Sequence, residues 1–201
     1  MSVPRAAARA AAARPAVRPA GPPREVRLIG GSLRGRKLPV ADRPGLRPTP
    51  DRVRETLFNW LGQELAGWRV LDAFAGSGAL GFEAASRGAA EVWLLESDPA
   101  LVRSLRDLRE RFGVPSLRVE RAEALAWMRR APAASFELVL LDPPFDSGLA
   151  APALEAARAL VVPGGWIYLE ASMPLQVLPA GLHEWRRLRA GAVSAQLLRV
   201  D

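Results

Sequence analysis

Cysteine is absent from this 201-residue chain, and histidine occurs once, at His183. The first absence excludes disulfides, thiolate metal sites and a cysteine nucleophile, and the second leaves a histidine-based zinc site without its ligands. No metal centre is expected. Long apolar runs are missing too: no stretch of eighteen apolar residues occurs, because Arg and Pro repeatedly break the alanine-rich start. No segment therefore reads as a transmembrane helix. Acids are missing from the beginning of the chain, where none precedes Glu25 while Arg5, Arg9, Arg14 and Arg18 recur. Such a start suggests a transit peptide but lacks the apolar core of a secretory signal. Residues 1–23 are expected to be a disordered Ala/Arg/Pro-rich extension of a cytoplasmic protein, since that composition cannot bury a core.

What is present is a chain with 49% hydrophobic residues, enough for one substantial core and hence one domain with an appendage. The net charge of +7 conceals an asymmetry: residues 1–54 hold thirteen basic residues against Glu25, Asp42 and Asp51, whereas the rest holds fifteen against eighteen acids. A concentrated basic segment beside a slightly acidic body is the footprint of a phosphate-backbone binder, because each neutralised phosphate releases condensed counterions.

From Val26 the text RLIGGSLRGRKLPV reads as a short curled hairpin, a basic flap over residues 24–48 that exposes Arg34, Arg36 and Lys37. Residues 49–201 form the expected catalytic domain. There the spacing of Val53, Leu57, Trp60 and Leu61 predicts a helix, with Thr49 as N-cap and Pro50 as its first residue. Compact apolar runs then alternate with helical patterns over Ala79 to Arg87, Pro99 to Phe112, Ala124 to Arg130 and Ala150 to Leu160. Apolar runs without polar alternation, each followed by a helix, argue for an α/β fold whose mostly parallel sheet is covered on both faces. Two closing runs, around Glu184 to Arg189 and Val193 to Val200, lack an intervening helix and predict an antiparallel hairpin at the end of the sheet.

The first strand-to-helix turn runs from Asp72 to Gly81, with Gly76 and Gly78 allowing backbone N–H groups to approach a ligand at a helix N-terminus. Such a turn serves a nucleotide-type cofactor. Asp72 within it would repel a pyrophosphate but welcome an ammonium and a sulfonium; an Asp that merely caps the helix is the other reading. Glu96 ends the second apolar run, where a Rossmann-like sheet binds ribose hydroxyls, and Ser97 or Asp98 is better placed to cap the helix before Pro99. Glu123 could accept from an adenine amino group or serve its helix dipole. The tetrad Asp142-Pro143-Pro144-Phe145 follows the fourth run, where two prolines fix the backbone and present Asp142 and the Pro143 carbonyl as rigid acceptors beside an aromatic ring. That suits an amine on a planar group, its protons held by two acceptors while Phe145 stacks. Adenine, guanine and amide nitrogen all remain open on the tetrad alone. His183, Trp166 and Tyr168 read as surface and core.

Over Arg27 to Val200 the chain resembles the bacterial 16S ribosomal RNA guanine-N2 methyltransferases, through RLIGGSLRGRKLPV, GLRPTPDRVRETLFNWL, LDAFAGSGALGFEAASRGA, LLESD, LLDPPF and GGWIYLE. The cofactor turn and DPPF are shared by many amine methylases, and the first two blocks are much narrower. The resemblance implies a Rossmann-like class I methyltransferase fold with a seven-stranded sheet. It implies S-adenosyl-L-methionine as donor, S-adenosyl-L-homocysteine as product, and a flipped guanine of 16S rRNA in an assembling 30S particle as substrate. By position, Asp72, Phe74, Ala75, Gly76 and Gly78 would hold the methionine part, Glu96 the ribose, Glu123 the adenine, and Asp142 to Phe145 the reaction centre. Arg52 and Arg54 would contact phosphate or cofactor, and the protein would act as a monomer. Phe145 stands where related enzymes often have Tyr, which removes a hydroxyl and keeps the stacking face. Three rivals are an adenine-N6 methyltransferase on RNA or DNA, for which the chain has no separate sequence-reading domain, a methyltransferase of protein side-chain amides, and a noncatalytic RNA-binding assembly factor.

Overall fold

The computed structural model describes residues 24–41, 49–145 and 147–201. The extension expected over 1–23 and the last seven residues of the expected flap lie outside the described residues. Strands β1 (Arg24–Arg27) and β2 (Lys37–Val40) pair antiparallel, and α1 (Asp51–Trp60) follows. Then β3 (Arg69–Asp72), α2 (Ala79–Ser86), β4 (Glu91–Glu96), α3 (Pro99–Phe112) and β5 (Leu117–Arg121) alternate. Next come α4 (Ala124–Met128), β6 (Phe136–Leu141), α5 (Ala150–Leu160) and β7 (Val161–Ala171), and the chain closes with β8 (Leu182–Ala190) and β9 (Val193–Val200).

Seven strands form one sheet in the order β5-β4-β3-β6-β7-β9-β8, parallel from β3 to β7, with β9 antiparallel between β7 and β8. Two apolar clusters cover its faces. Val70, Leu94, Leu138, Leu140 and Tyr168 face one side, with Leu57, Phe58 and Phe82 of the flanking helices. Leu71, Leu95, Val139, Leu141 and Leu169 alternate to the other, against Leu154, Ala157 and Leu160 of α5. The chain runs outward from β3 to β5 and returns to start again at β6, so the strand order reverses between β3 and β6. At such a point the adjoining loops part and leave a crevice at the carboxyl ends of the strands.

Helix α3 begins where Asp98 accepts from the N–H groups of Ala100 and Leu101 and ends at Gly113 in the left-handed region (φ 65°). Two expectations need correction. Pro50, not Thr49, occupies the N-cap of α1, and no side chain caps that helix; the Thr49 hydroxyl is directed across the fold to Asp142. The β1–β2 hairpin, read as a flap, is built into the core: Leu28, Leu33 and Leu38 are buried in the cluster that contains Leu57 and Phe82. Each such side chain contributes about 2 kcal/mol.

The hairpin is held by a buried charge cluster. Glu83 of α2 accepts from the backbone N–H of Ile29 (2.9 Å) and Gly30 (2.8 Å), and pairs with Arg54 (3.3 Å) and Arg87 (2.9 Å). Gly31 sits at φ 70° against α2, where a Cβ would fall 1.8 Å from the Ser86 carbonyl oxygen. The adjacent Gly30 and Gly31 of the RLIGGSLRGRKLPV block thus serve the docking of the hairpin.

Candidate active site

Three strands end in carboxylates around the crevice: Asp72 on β3, Glu96 on β4 and Asp142 just after β6. They line a cavity of about 500 Å³ together with Phe74 to Ser77, Glu123, Pro143 to Phe145 and the apolar side chains of Leu80, Leu101 and Leu149. That volume lies within the range of small-molecule and cofactor sites. Gly78 at the N-cap of α2 has φ 81°, and a Cβ there would meet Leu105 at 2.7 Å and Phe82 at 2.8 Å. Only glycine allows this helix to start so close to the cavity floor.

Asp72 is buried and its Oδ2 accepts from the Gly81 N–H at 2.9 Å. The contact to the first turn of α2 is the one the capping reading describes, and the same carboxylate lines the cavity. Burial, with the nearby Glu96 and Glu170 carboxylates adding to it, pushes its carboxyl up to about 7 against the hydrogen bonds from Gly81 and Phe74. Such a group favours a ligand that brings positive charge. Glu96 fixes the turn from the other side, accepting from the N–H of Gly76 (3.0 Å) and of Asp98 (2.8 Å). Glu123 lines the cavity, but its two oxygens accept from Leu125 and Ala126 at 3.0 and 2.7 Å and so cap α4.

Asp142 stands half-buried at the wall. Burial and the neighbouring Glu170 and Asp72 carboxylates hold it well above the usual carboxylate range, opposed by the Thr49 hydroxyl, which donates to its Oδ2 at 3.4 Å. The Pro144 carbonyl accepts from the Ser147 N–H and hydroxyl, whereas among the described residues nothing donates to the Pro143 carbonyl. The Phe145 ring is 39% exposed on the cavity rim, where its face is open to a planar partner.

The basic candidates divide. Arg34, Arg36 and Lys37 are exposed on the hairpin, Arg36 lying over the Phe112 ring (5.3 Å) and Lys37 pairing with Glu25 (2.8 Å). Arg52 is exposed on α1. Arg54, read as a phosphate or cofactor contact, is fully buried, and its guanidinium is bound to Glu83, Asp51 and the carbonyls of Arg27 and Thr49. It is a structural cation out of reach of RNA. Sequence reasoning missed Thr49, Glu83 and Glu170; an acid closing the apolar run of β7 was the available signal for Glu170, the same one that singled out Glu96. Tyr168 is core, as expected, and donates to Glu170 at 2.8 Å, while His183 is exposed beside Asp201. Among the described residues, no group of acids and histidines could hold a metal ion and no helix is long and apolar enough to cross a membrane.

Known proteins resemble both sequence and fold. The family described as conserved hypothetical protein 95 matches residues 26–199. Ribosomal RNA small subunit methyltransferase D of Escherichia coli strain K12 is 42% identical over 181 residues, covering 86% of this chain and 89% of the relative. The protein of the same name from Haemophilus influenzae is 43% identical over 146 residues, covering 71% and 74%. The solved structure of Escherichia coli YhhF superposes with a TM-score of 0.79 at 38% identity, covering 88% of this chain and 98% of that one. A Thermus thermophilus 16S rRNA N2 G1207 methyltransferase, solved with AdoMet and guanosine, shares the fold at TM-score 0.64 and 22% identity, covering 90% and 50%. The sheet order with its closing antiparallel hairpin is that of the class I methyltransferases, and the chain belongs to the family of ribosomal RNA small subunit methyltransferase D.

Proposed function

We propose that this enzyme transfers a methyl group from S-adenosyl-L-methionine to the exocyclic N2 amine of a guanine in 16S rRNA. The observation that carries the reading is the pairing of two acceptors, Asp142 and the Pro143 carbonyl, with the exposed Phe145 ring at the mouth of a cofactor-sized cavity. The residues present fit the donor: the buried Asp72 carboxylate suits its ammonium, Glu96 its ribose, and apolar walls its adenine. When bound, the donor supplies an electrophilic methyl group. Asp142 and the Pro143 carbonyl would hold the two amine protons while Phe145 stacks on the base, which fixes the nitrogen for in-line attack. With Glu123 engaged in capping α4, its share in adenine recognition would be as a wall of the cavity. Arg34, Arg36, Lys37 and Arg52 would receive phosphates. We further propose an assembling 30S particle as the substrate, a monomeric cytoplasmic enzyme, and residues 24–48 and 49–201 as its two functional parts.

Asp72 makes donor binding depend on pH. A carboxyl raised to about 7 takes up a proton in the free protein at lower pH and must release it to face an ammonium. Affinity for the donor is therefore expected to fall about tenfold per unit as pH drops below neutral, with proton release on binding detectable by calorimetry in buffers of different ionisation enthalpy. The free protein shows the opposite sign: the contribution of a carboxyl raised above its unfolded value of about 3.9 is lost as pH rises through about 7. Donor affinity that stays flat from about pH 5 to about pH 8 would contradict the assignment.

Single-turnover methylation of unmodified small-subunit RNA and of duplex DNA tests the substrate. Label in the RNA alone is expected, and label in DNA alone refutes the reading. Reversing the charges of Arg34, Arg36 and Lys37 together is expected to raise KM for RNA by about 100-fold and to flatten the salt dependence of binding. Unchanged rates would favour a protein amide as the methyl acceptor.

A further inference from the structure

Glu170 is the penultimate residue of β7, and nothing in the reaction just described uses it. The β6–β7 register pairs Leu140 with Tyr168 and Leu141 with Leu169, so Asp142 and Glu170 come next, side by side on neighbouring strands about 4.8 Å apart. The two-residue period points both to the face that carries Leu140 and Tyr168. Glu170 is only 2% exposed and accepts from the Tyr168 hydroxyl at 2.8 Å. The Thr49 hydroxyl, which donates to Asp142, also acts on the Glu170 carboxyl, where it opposes the effect of burial. That hydroxyl has a single proton, so it can donate to one carboxyl only; the other must donate to the Thr49 oxygen or go without. Asp72 adds negative charge to the same face, and Arg54, held by Glu83 and Asp51, offsets it in part. Two adjacent carboxylates, Glu170 buried and Asp142 half-buried, do not both ionise with a third beside them.

We propose that Asp142 and Glu170 share one proton through Thr49, and that Glu170 thereby equips Asp142 to take the proton released by the substrate amine. The second half rests on Asp142 as the amine's acceptor. In the transfer the amine nitrogen gains the methyl carbon, the electron pair of the broken carbon–sulfur bond stays with sulfur, and the N–H proton passes to an oxygen of Asp142. The carboxyl pair goes from one negative charge to none as the sulfonium loses its positive charge, so the buried site keeps its net charge throughout. Glu170 is a positioning residue, acting through Asp142.

Infrared difference spectroscopy of the donor-free, full-length protein follows the carbonyl stretch of protonated carboxyls, in an Asp72→Asn background that silences the third member of the cluster. At neutral pH one protonated carboxyl is expected. The pH at which it titrates should fall in both Glu170→Gln and Asp142→Asn, because either amide relieves the other carboxyl of its charged neighbour while burial still holds that carboxyl up. In the otherwise wild-type enzyme Glu170→Gln is expected to lower kcat about tenfold and displace the acidic limb of its pH profile, with KM for RNA unchanged. Should Glu170→Gln fail to melt cooperatively, Asp142→Asn at the cavity wall carries the spectroscopic test. A band whose titration is unmoved in both variants overturns the pair and leaves the amine contact standing. A titration moved down in both with full kcat in Asp142→Asn overturns the amine contact, and with it the role given to Glu170.

Discussion

Replacing Asp142 by alanine is expected to slow single-turnover methyl transfer by about 10³-fold while changing donor affinity by no more than a few-fold. The exocyclic nitrogen is conjugated with its ring and a poor nucleophile, so its lone pair must be freed as the new bond forms. A carboxylate that accepts one of its protons gains strength as positive charge develops on nitrogen, which makes the contact worth more in the transition state than in the ground state. Asp142 can do this because Pro143 and Pro144 fix its backbone and Thr49 donates to its far oxygen. Asn at this position keeps an acceptor oxygen and should lose less than Ala does. Rates measured at saturating donor and RNA separate the two variants, and an Asp142→Ala enzyme within tenfold of wild type would remove Asp142 from the reaction.

Glu83→Ala is expected to cost about 3 to 5 kcal/mol of stability, the range for removing one partner of a buried ion pair. It takes the buried counterion from the guanidiniums of Arg54, which keeps Asp51, and Arg87, and leaves the N–H groups of Ile29 and Gly30 without their acceptor. For a domain of this size the melting temperature should drop by about 10 °C. The loss reaches beyond stability. Arg54 donates to the Thr49 carbonyl, and Thr49 in turn donates to Asp142, so the docking of the hairpin and the placement of the Asp142 carboxylate share one chain of contacts. RNA affinity and turnover should therefore fall together in any Glu83→Ala protein that still folds. An unchanged melting temperature would show that the cluster is not what holds the hairpin.

Local signals in the sequence carried most of the architecture. Asp98 before Pro99, and Gly113 after Phe112, bound α3 at the residues expected, because both ends are set by chemistry within a turn of the boundary. The carboxylates at the strand ends were legible for a similar reason: an apolar run fixes a parallel strand, and its last polar residue must lie at the crevice. Thr49 was misread because a threonine before Pro50 has the local signature of an N-cap, and its actual partner lies 93 residues away. Arg54 was misread because it sits in a run of exposed-looking charged residues, while the acid that neutralises it, Glu83, lies in an alanine-rich helix with no charge pattern to mark it. Pairings between distant segments leave no periodic trace. The RLIGGSLRGRKLPV block shows the limit from the other direction: its cations face outward as expected, but its paired glycines answer to the Ser86 carbonyl and the Arg87 side chain.

The most direct test of the account is to map modified nucleosides by mass spectrometry in 16S rRNA from small subunits that lack the modification, after incubation with this enzyme and isotopically labelled S-adenosyl-L-methionine. Label confined to N2-methylguanosine at a single site is the expected result, and label in N6-methyladenosine, or none in the RNA at all, would contradict it.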